Sequence, residues 1–185
     1  MLNRMMFTAL FTLLLASFAL GKDAAPIEIS MAKGKVTFKA PKTWEKQKVR
    51  SRILAYEFSA PAAVKSQANG RMTVMAAGGS IKANLDRWVG QFTQPDGKST
   101  KEVAKISEKK FNEQLVHLID VSGNFADRRG PFAPAVQRKD FRMLGAIIPT
   151  EKYGQIFIKF YGPSQTVKKH EKDFTKMLET LKVAK

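Results

Sequence analysis

Two groups of cations carry the clearest chemical signal in this sequence. In the first group the cations alternate with Gln47, Val49 and Ser51, so an extended chain would place all of them on one face. A row of like charges on a strand is costly unless it is solvated or matched by an anion. Two interpretations remain open, an exposed edge strand and an anion-binding stripe. The four cations are Lys46, Lys48, Arg50 and Arg52.

The second group lies in residues 127–142, which contain two prolines and are predicted to form a long irregular loop. Loops of this length in compact domains are often functional, and guanidinium groups bind carboxylates and phosphates in a bidentate manner. Two interpretations again remain open, an anion-binding loop and a crossover loop that an aromatic residue anchors in the core. The residues concerned are Arg128, Arg129, Phe132, Arg138 and Lys139.

The overall charge points to the same class of partner. The 185 residues include 32 Lys and Arg against 16 Asp and Glu, which gives a formal net charge of +16. Such an excess favours polyanionic surroundings, for example an acidic polysaccharide, anionic lipid headgroups or an acidic protein. Nucleic acid enters only as a generic polyanion. A basic surface that merely keeps the protein soluble is the alternative.

Residues that could support catalysis or bind a metal are few. The sequence has no cysteine, which excludes thiol nucleophiles, disulfides, zinc–thiolate sites and iron–sulfur clusters. The two histidines, His117 and His170, share no ligand spacing, so we expect neither a metal nor a cofactor. A hydrolase or transferase that uses Asp120, Asp127 or Asp140 is a less favoured alternative, because their spacing identifies no acid and base.

The N-terminal residues have the three-part composition of a signal peptide. Arg4 precedes an apolar stretch over 5–20, which is shorter than the roughly 20 apolar residues of a membrane span. Small residues follow, so we predict a signal peptide at 1–21 with cleavage near Ala19 or Gly21. Export to a bacterial periplasm or to the cell exterior follows from this prediction, and no stable membrane span is expected.

The remaining chain is predicted to contain one domain. Residues 22–33 have no convincing period and are predicted to form a flexible lead, which leaves 34–185 for the domain. Alternating apolar residues predict several strands, of which the last begins at 154, is apolar on both faces and is stopped by Gly162-Pro163. Helical spacing predicts two main helices, at 80–93 and 164–181. These elements predict an α+β fold with a mainly antiparallel sheet of about six or seven strands.

Both ends of this domain resemble the PsbP-like family. The resemblance lies in the opening strand with its turn and in the final strand with its helix. The matching residues are Val36-Thr-Phe38-x-x-Pro41-x-x-Trp44, Tyr161-Gly-Pro and Phe174-x-x-Met177-Leu178-x-x-Leu181-Lys182. Family members are small binding modules, so the resemblance implies an α/β/α sandwich around an antiparallel sheet. No functional motif of the family can be placed on residues of this chain.

Charge and the lack of a catalytic motif together favour a secreted, non-catalytic binding module whose basic faces bind an anionic partner. An accessory subunit of a protein assembly is the alternative that the resemblance implies. The two would differ at the surface. A polymer binder needs a continuous positive groove, whereas an assembly subunit needs an exposed apolar patch.

Overall fold

The computed structural model describes residues 25–128 and 133–185. The predicted signal peptide and the predicted binding residues Arg129 and Phe132 lie outside the described residues. The strands in the described ranges are β1 (Glu28–Met31), β2 (Val36–Lys39), β3 (Glu45–Lys46), β4 (Tyr56–Ala60), β5 (Gly70–Ala77), β6 (Phe92–Thr93), β7 (Lys105–Phe111), β8 (Gln114–Asp127), β9 (Val136–Thr150), β10 (Gly154–Pro163) and β11 (Lys182–Val183). The helices are α1 (Ile81–Val89), α2 (Thr100–Val103), α3 (Ser164–Lys169) and α4 (Glu171–Glu179).

The central sheet has eight strands in these ranges. Seven follow the order β3-β4-β5-β10-β9-β8-β6, and β7 also pairs with β8. Every pairing is antiparallel. The predicted α+β class and antiparallel sheet are therefore confirmed. The strand count exceeds the prediction because β3 and β6 have two residues each, which is too short for a visible alternation.

The final strand β10 buries side chains on both of its faces, as predicted. Ile156, Ile158 and Phe160 belong to one core cluster, which also contains buried residues of α3 and α4. Phe157 and Tyr161 belong to a second cluster with the buried residues of α1. We refer to these as the α4 face and the α1 face of the sheet. A second sheet, in the order β1-β2-β11, covers the α4 face together with α3 and α4. A plain α/β/α sandwich would not include this second sheet.

Both predicted helices are shorter than the sequence pattern indicated. The Ser80 hydroxyl accepts a hydrogen bond from the Ala83 amide and begins α1, but the helix ends at Val89 and not at 93. The closing helix is broken at His170, whose Nε2 lies 2.9 Å from the Pro61 carbonyl oxygen. This tertiary contact fixes His170 away from helical geometry, and it is invisible in the local sequence. No helix within the described ranges is long and apolar enough to cross a membrane.

The predicted irregular loop at 127–142 is wrong at Asp127 and from Val136 onward, where the chain forms strands. Strand β8 continues to Asp127, β9 begins at Val136, and the two strands pair as a hairpin. The register shifts by one residue between Gly123 and Phe125, and Asp140 in β9 has a φ of 51°. This bulge and the exposed, charged side chains at the start of β9 hide the alternation that would have indicated a strand.

The predicted flexible lead at 22–33 is also wrong in part. Residues Glu28–Met31 form β1, which pairs with β2 from Glu28 to Met31. Ile29 is fully buried in the core of the α4 face. Only two apolar residues of this strand face the core, too few for a period to be recognised in the sequence.

Candidate functional site

A cavity of about 660 Å³ lies on the α1 face, between α1 and residues 51–54. The strand register explains its position. Lys159 lies between Thr73 of β5 and Gly145 of β9. A side chain at 145 would lie 2.6 Å from the Trp88 ring, so glycine at this position lets α1 pack closely over β9. The helix therefore covers the β9 side of Lys159 and leaves the β5 side open. We call this space the α1 cavity.

The α1 cavity collects positive charge from separate parts of the chain. Each cation comes from a different segment of the chain: the loop before β4, strand β5, helix α1, the position directly after β8, and strand β10. These residues are Arg52, Arg71, Arg87, Arg128 and Lys159. Among the described residues that line the cavity, one is acidic. This residue is Asp127, which is buried. The cavity is thus cationic in net terms.

Arg71 is held in a fixed position by its partners. Its Nε donates to Glu57 Oε1 at 2.7 Å and its Nη2 donates to Glu57 Oε2 at 2.9 Å. Nη1 also donates to the Tyr161 hydroxyl. Burial acts to lower the pKa of Arg71, but the hydrogen bonds to Glu57 and Tyr161 outweigh it and raise the pKa. Arg71 therefore stays protonated, with its charge paired to Glu57 and its geometry set before any ligand arrives.

Lys159 carries a charge that its surroundings disfavour. Its Nζ donates to Gln91 Oε1 at 2.6 Å and lies 5.3 Å from the centre of the Trp88 ring. Burial, and to a smaller extent the nearby Arg87 and Arg71, lower the pKa of Lys159 to about 7, while Asp127 acts in the opposite direction. An anion placed beside Nζ would favour the protonated form, because opposite charges stabilise each other at short range.

Aromatic rings form the apolar part of the lining. The rings of Trp88 and Phe157 meet edge to face with centroids 5.4 Å apart. Phe125 and Tyr161 lie with centroids 5.2 Å apart. All four residues are buried, so the walls beside the cations are rigid and apolar.

Two of the sequence-predicted site residues meet at this cavity. Arg52 ends the predicted cationic stripe, Arg128 begins the predicted loop, and both line the α1 cavity as exposed residues. The predicted single-faced stripe is wrong, however, because only Lys46 lies in a strand. The Gln47 amide donates to the Glu57 carbonyl at 2.8 Å, and the chain leaves the sheet after that bond. Lys48 and Arg50 are exposed in the irregular stretch that follows.

Arg138 and Lys139 lie in β9, next to its bulge. Because of the bulge at Asp140, Arg138 lies opposite Phe125 and so shares the α1 face. Its Nε is 3.7 Å from Asp127 Oδ2. Both residues line a cavity of about 380 Å³ that shares Arg71, Asp127 and Tyr161 with the α1 cavity. The two cavities are therefore neighbours.

Sequence reasoning missed Arg71, Arg87 and Lys159 as members of the site. Lys159 could have been found, because it is the one cation on a strand face that otherwise shows Phe157 and Tyr161. A cation in a strand that is apolar on both faces needs a partner or a cavity. Arg71 and Arg87 have no comparable signal, since each is an ordinary charged residue in an element with a polar side.

The described carboxylates give no acid–base pair in the cavity. Asp120 lies on the α4 face, where Arg142 donates to both of its oxygens at 2.7 Å and to Glu171 at 2.8 Å. Asp127 lies on the α1 face, so the two side chains are separated by the sheet. Within residues 25–128 and 133–185, no group of three or more His, Asp or Glu residues is arranged to hold a metal ion.

Comparison with family models and with curated proteins gives no match for this sequence. Solved structures do match. The solution structure of PsbP from the cyanobacterium Synechocystis aligns over 89% of this chain and 95% of its own, with a TM-score of 0.49 and 11% identity. The Ran-binding protein Mog1p from Saccharomyces cerevisiae aligns over 86% of this chain and 95% of its own, with a TM-score of 0.45 and 11% identity.

A protein from Bacteroides thetaiotaomicron also matches, with a TM-score of 0.43 and 13% identity over 85% of this chain. The present chain spans 47% of the length of that protein. The predicted resemblance to PsbP-like proteins is confirmed by the cyanobacterial structure, and it concerns the fold alone.

Proposed function

We propose that this chain is an exported binding module that takes an anionic group of its partner into the α1 cavity. One observation carries the proposal. Five cations from five segments of the chain line one cavity of about 660 Å³. Among the described residues that line it, Asp127 is the one that carries a carboxylate. Cavities of this size are typical of ligand sites, and convergent guanidinium groups suit carboxylates and phosphates.

The position of the cations supports recognition over simple solubility. Charges that only keep a protein soluble are scattered over its surface. Here Arg71 is fixed by two hydrogen bonds to Glu57, Arg87 donates to Asn84 Oδ1, and Arg52 and Arg128 are exposed at the cavity. Half-buried Arg71 is thus held in place before binding, and the exposed Arg52, Arg87 and Arg128 can close on a bound anion. Such an arrangement raises affinity because less ordering is needed on binding.

The proposal is tested by measuring binding to polymers that carry different anionic groups. The probes are polygalacturonate, poly-glutamate and vesicles that contain phosphatidylglycerol. The variant Arg52→Gln/Arg128→Gln removes two charges at the cavity. The matched control Lys168→Gln/Lys172→Gln removes two exposed charges from α3 and α4, on the opposite face of the sheet. Each titration is repeated over a range of salt concentrations.

We expect the cavity variant to weaken binding about tenfold or more, and the control to change it less than about twofold. The dependence of log affinity on log salt should become shallower only in the cavity variant, because fewer counterions are then released from one stretch of polymer. The probe that binds best identifies the partner chemistry. Equal losses in both variants would reject the cavity as the binding site and leave net charge as the explanation.

Export is the second part of the proposal, and the composition of residues 1–21 supports it. The intact mass of the protein isolated from its native host is the direct test. We expect a chain that begins near Ala19 or Gly21. A mature protein that retains the whole apolar stretch at 5–20 would contradict the signal peptide and the export.

A further inference from the structure

We propose that the ligand group bound in the α1 cavity is an organic acid with a flat apolar body, whose carboxylate lies beside Lys159. This inference rests on the proposed function and names the class of ligand. It starts from the composition of the lining. Aromatic and aliphatic side chains line the same space as the cations, so a hydrated inorganic anion would leave much of the wall without a partner.

The carboxylate position follows from the location of the Lys159 ammonium. The ammonium lies beside the Trp88 ring, and its described hydrogen bond is the one it donates to a neutral group, Gln91 Oε1, at 2.6 Å. An ammonium can donate three hydrogen bonds. Arg71 of β5 and Arg87 of α1 add positive potential at this point, and Asp127 of β8 opposes it. A carboxylate fits this place because it accepts from several donors at once.

The position of the apolar body follows from the residues on the β5 side. Met75 and Phe157 are paired across β5 and β10 and line the cavity. Leu54 lines it from the loop before β4, and the neighbouring Ile53 has 67% of its surface exposed. A flat body that extends from Lys159 between these side chains would cover Ile53. Burying such a side chain is favourable in proportion to the apolar area removed from water.

The experiment compares three small probes by calorimetry at neutral pH. The probe 2-naphthoate has the acid and the flat body, 2-naphthalenemethanol has the body alone, and acetate has the acid alone. The protein is the full mature chain, with the variants Lys159→Met and Leu54→Ser and the surface control Lys168→Met. The variant Lys159→Met removes the ammonium and keeps a side chain of similar length.

We expect 2-naphthoate to bind at least about tenfold more tightly than either other probe. Lys159→Met should remove this advantage over 2-naphthalenemethanol, Leu54→Ser should weaken both naphthalene probes, and Lys168→Met should change nothing. Acetate that binds as well as 2-naphthoate would overturn the flat body and leave the anion site standing. If the protein binds the anionic polymers but not 2-naphthoate, the flat body is likewise overturned and the anion site stands. If 2-naphthalenemethanol equals 2-naphthoate on the wild type, both this inference and the anionic ligand of the proposed function are overturned.

Discussion

On the α4 face, Arg142 lies between Asp120 and Glu171, whereas on the α1 face Arg52, Arg87 and Arg128 line a cavity with Lys159. Hydrogen bonds to Asp120 and Glu171 raise the pKa of Arg142 against the effect of burial. That cation joins β9 to α4, so its charge is used to hold the fold together. On the α1 face the cations exceed the carboxylates. The two faces therefore differ in charge balance, since Arg142 is paired with two carboxylates, whereas the cations around the α1 cavity outnumber the carboxylates even with Arg71 paired to Glu57.

The two faces of the sheet also differ in how completely other elements cover them. Two helices and a second sheet close the α4 face, and Trp44 packs on Phe160 there with ring centroids 4.4 Å apart. The nine residues of α1 span only about 13 Å, at 1.5 Å per residue. A short helix that is seated over Gly145 cannot also cover β5. The cavity is therefore a consequence of helix length and of one glycine.

The strongest test of the α4 face is removal of residues 163–185. This deletion removes α3, α4 and β11, and with them five core side chains. Each such side chain contributes about 1.5 to 3 kcal/mol, which together reaches the 5 to 15 kcal/mol stability of a typical domain. We expect a chain without cooperative unfolding in circular dichroism. A folded, cooperatively melting product would contradict the role of this face. The five residues are Val167, Phe174, Met177, Leu178 and Leu181.

A single substitution on the same face should have a smaller effect. Phe174 is 4% exposed and stacks on Phe160 with centroids 6.1 Å apart. We expect Phe174→Ala to lower the free energy of unfolding by about 3 to 5 kcal/mol, because it leaves a cavity in a closed core. Urea unfolding measures the change, with Lys172→Ala on the exposed side of α4 as the control. A loss below about 1 kcal/mol would show that α4 does not dock through this residue.

Lys159→Met should stabilise the protein, in a manner that depends on pH. The pKa of Lys159 is about 7 in the folded state against 10.5 for an ordinary lysine. Below pH 7 both states are protonated and the folded state carries the full penalty of a disfavoured charge. Between pH 7 and 10.5 the unfolded state binds more protons, so the stability of the wild type rises and the penalty disappears.

We therefore expect Lys159→Met to gain about 2 to 4 kcal/mol at pH 6 and almost nothing above pH 10.5. Urea unfolding at a series of pH values gives both numbers, with Lys168→Met as the control that should show no trend. A gain that is the same at every pH would mean that the Lys159 charge is not disfavoured in the fold.

The close packing of α1 over Gly145 gives the smallest of these effects. A methyl group at 145 would lie 2.6 Å from Trp88 and 2.7 Å from Ile119, so α1 has to shift. We expect Gly145→Ala to cost about 1 to 3 kcal/mol. Gly78→Ala, where no atom lies within 4 Å of the added carbon, is the control. Equal effects of the two substitutions would show that α1 is not seated by close packing at 145.

The part of the fold that the sequence predicted is the part set by local alternation and helical spacing. The alternation Ile156, Ile158 and Phe160 against Phe157 and Tyr161 placed two core clusters on two faces of one strand. The stripe of the closing helix was also visible. Its break at His170 was not, because that break depends on the Pro61 carbonyl, more than a hundred residues away in the chain.

The candidate site was less predictable than the fold, because it depends on register and on one bulge. Arg52 and Arg128 were both predicted as binding residues, but only the folded chain brings them to one cavity. Arg138 reaches the α1 face because the extra residue at Asp140 reverses the alternation of β9. Such a reversal leaves no local pattern in a stretch of charged residues. Whether these cations bind a partner stays a prediction until it is measured.

The most direct test of the central claim is to locate a bound anion by backbone amide chemical shifts. The isotope-labelled protein is titrated with a short oligogalacturonate at low salt. We expect the shifts to concentrate at Leu54, Thr73 and Lys159, around the α1 cavity, with little change at 168–176. Shifts that concentrate at 168–176, or that spread evenly over the exposed cations, would contradict an anion site on the α1 face.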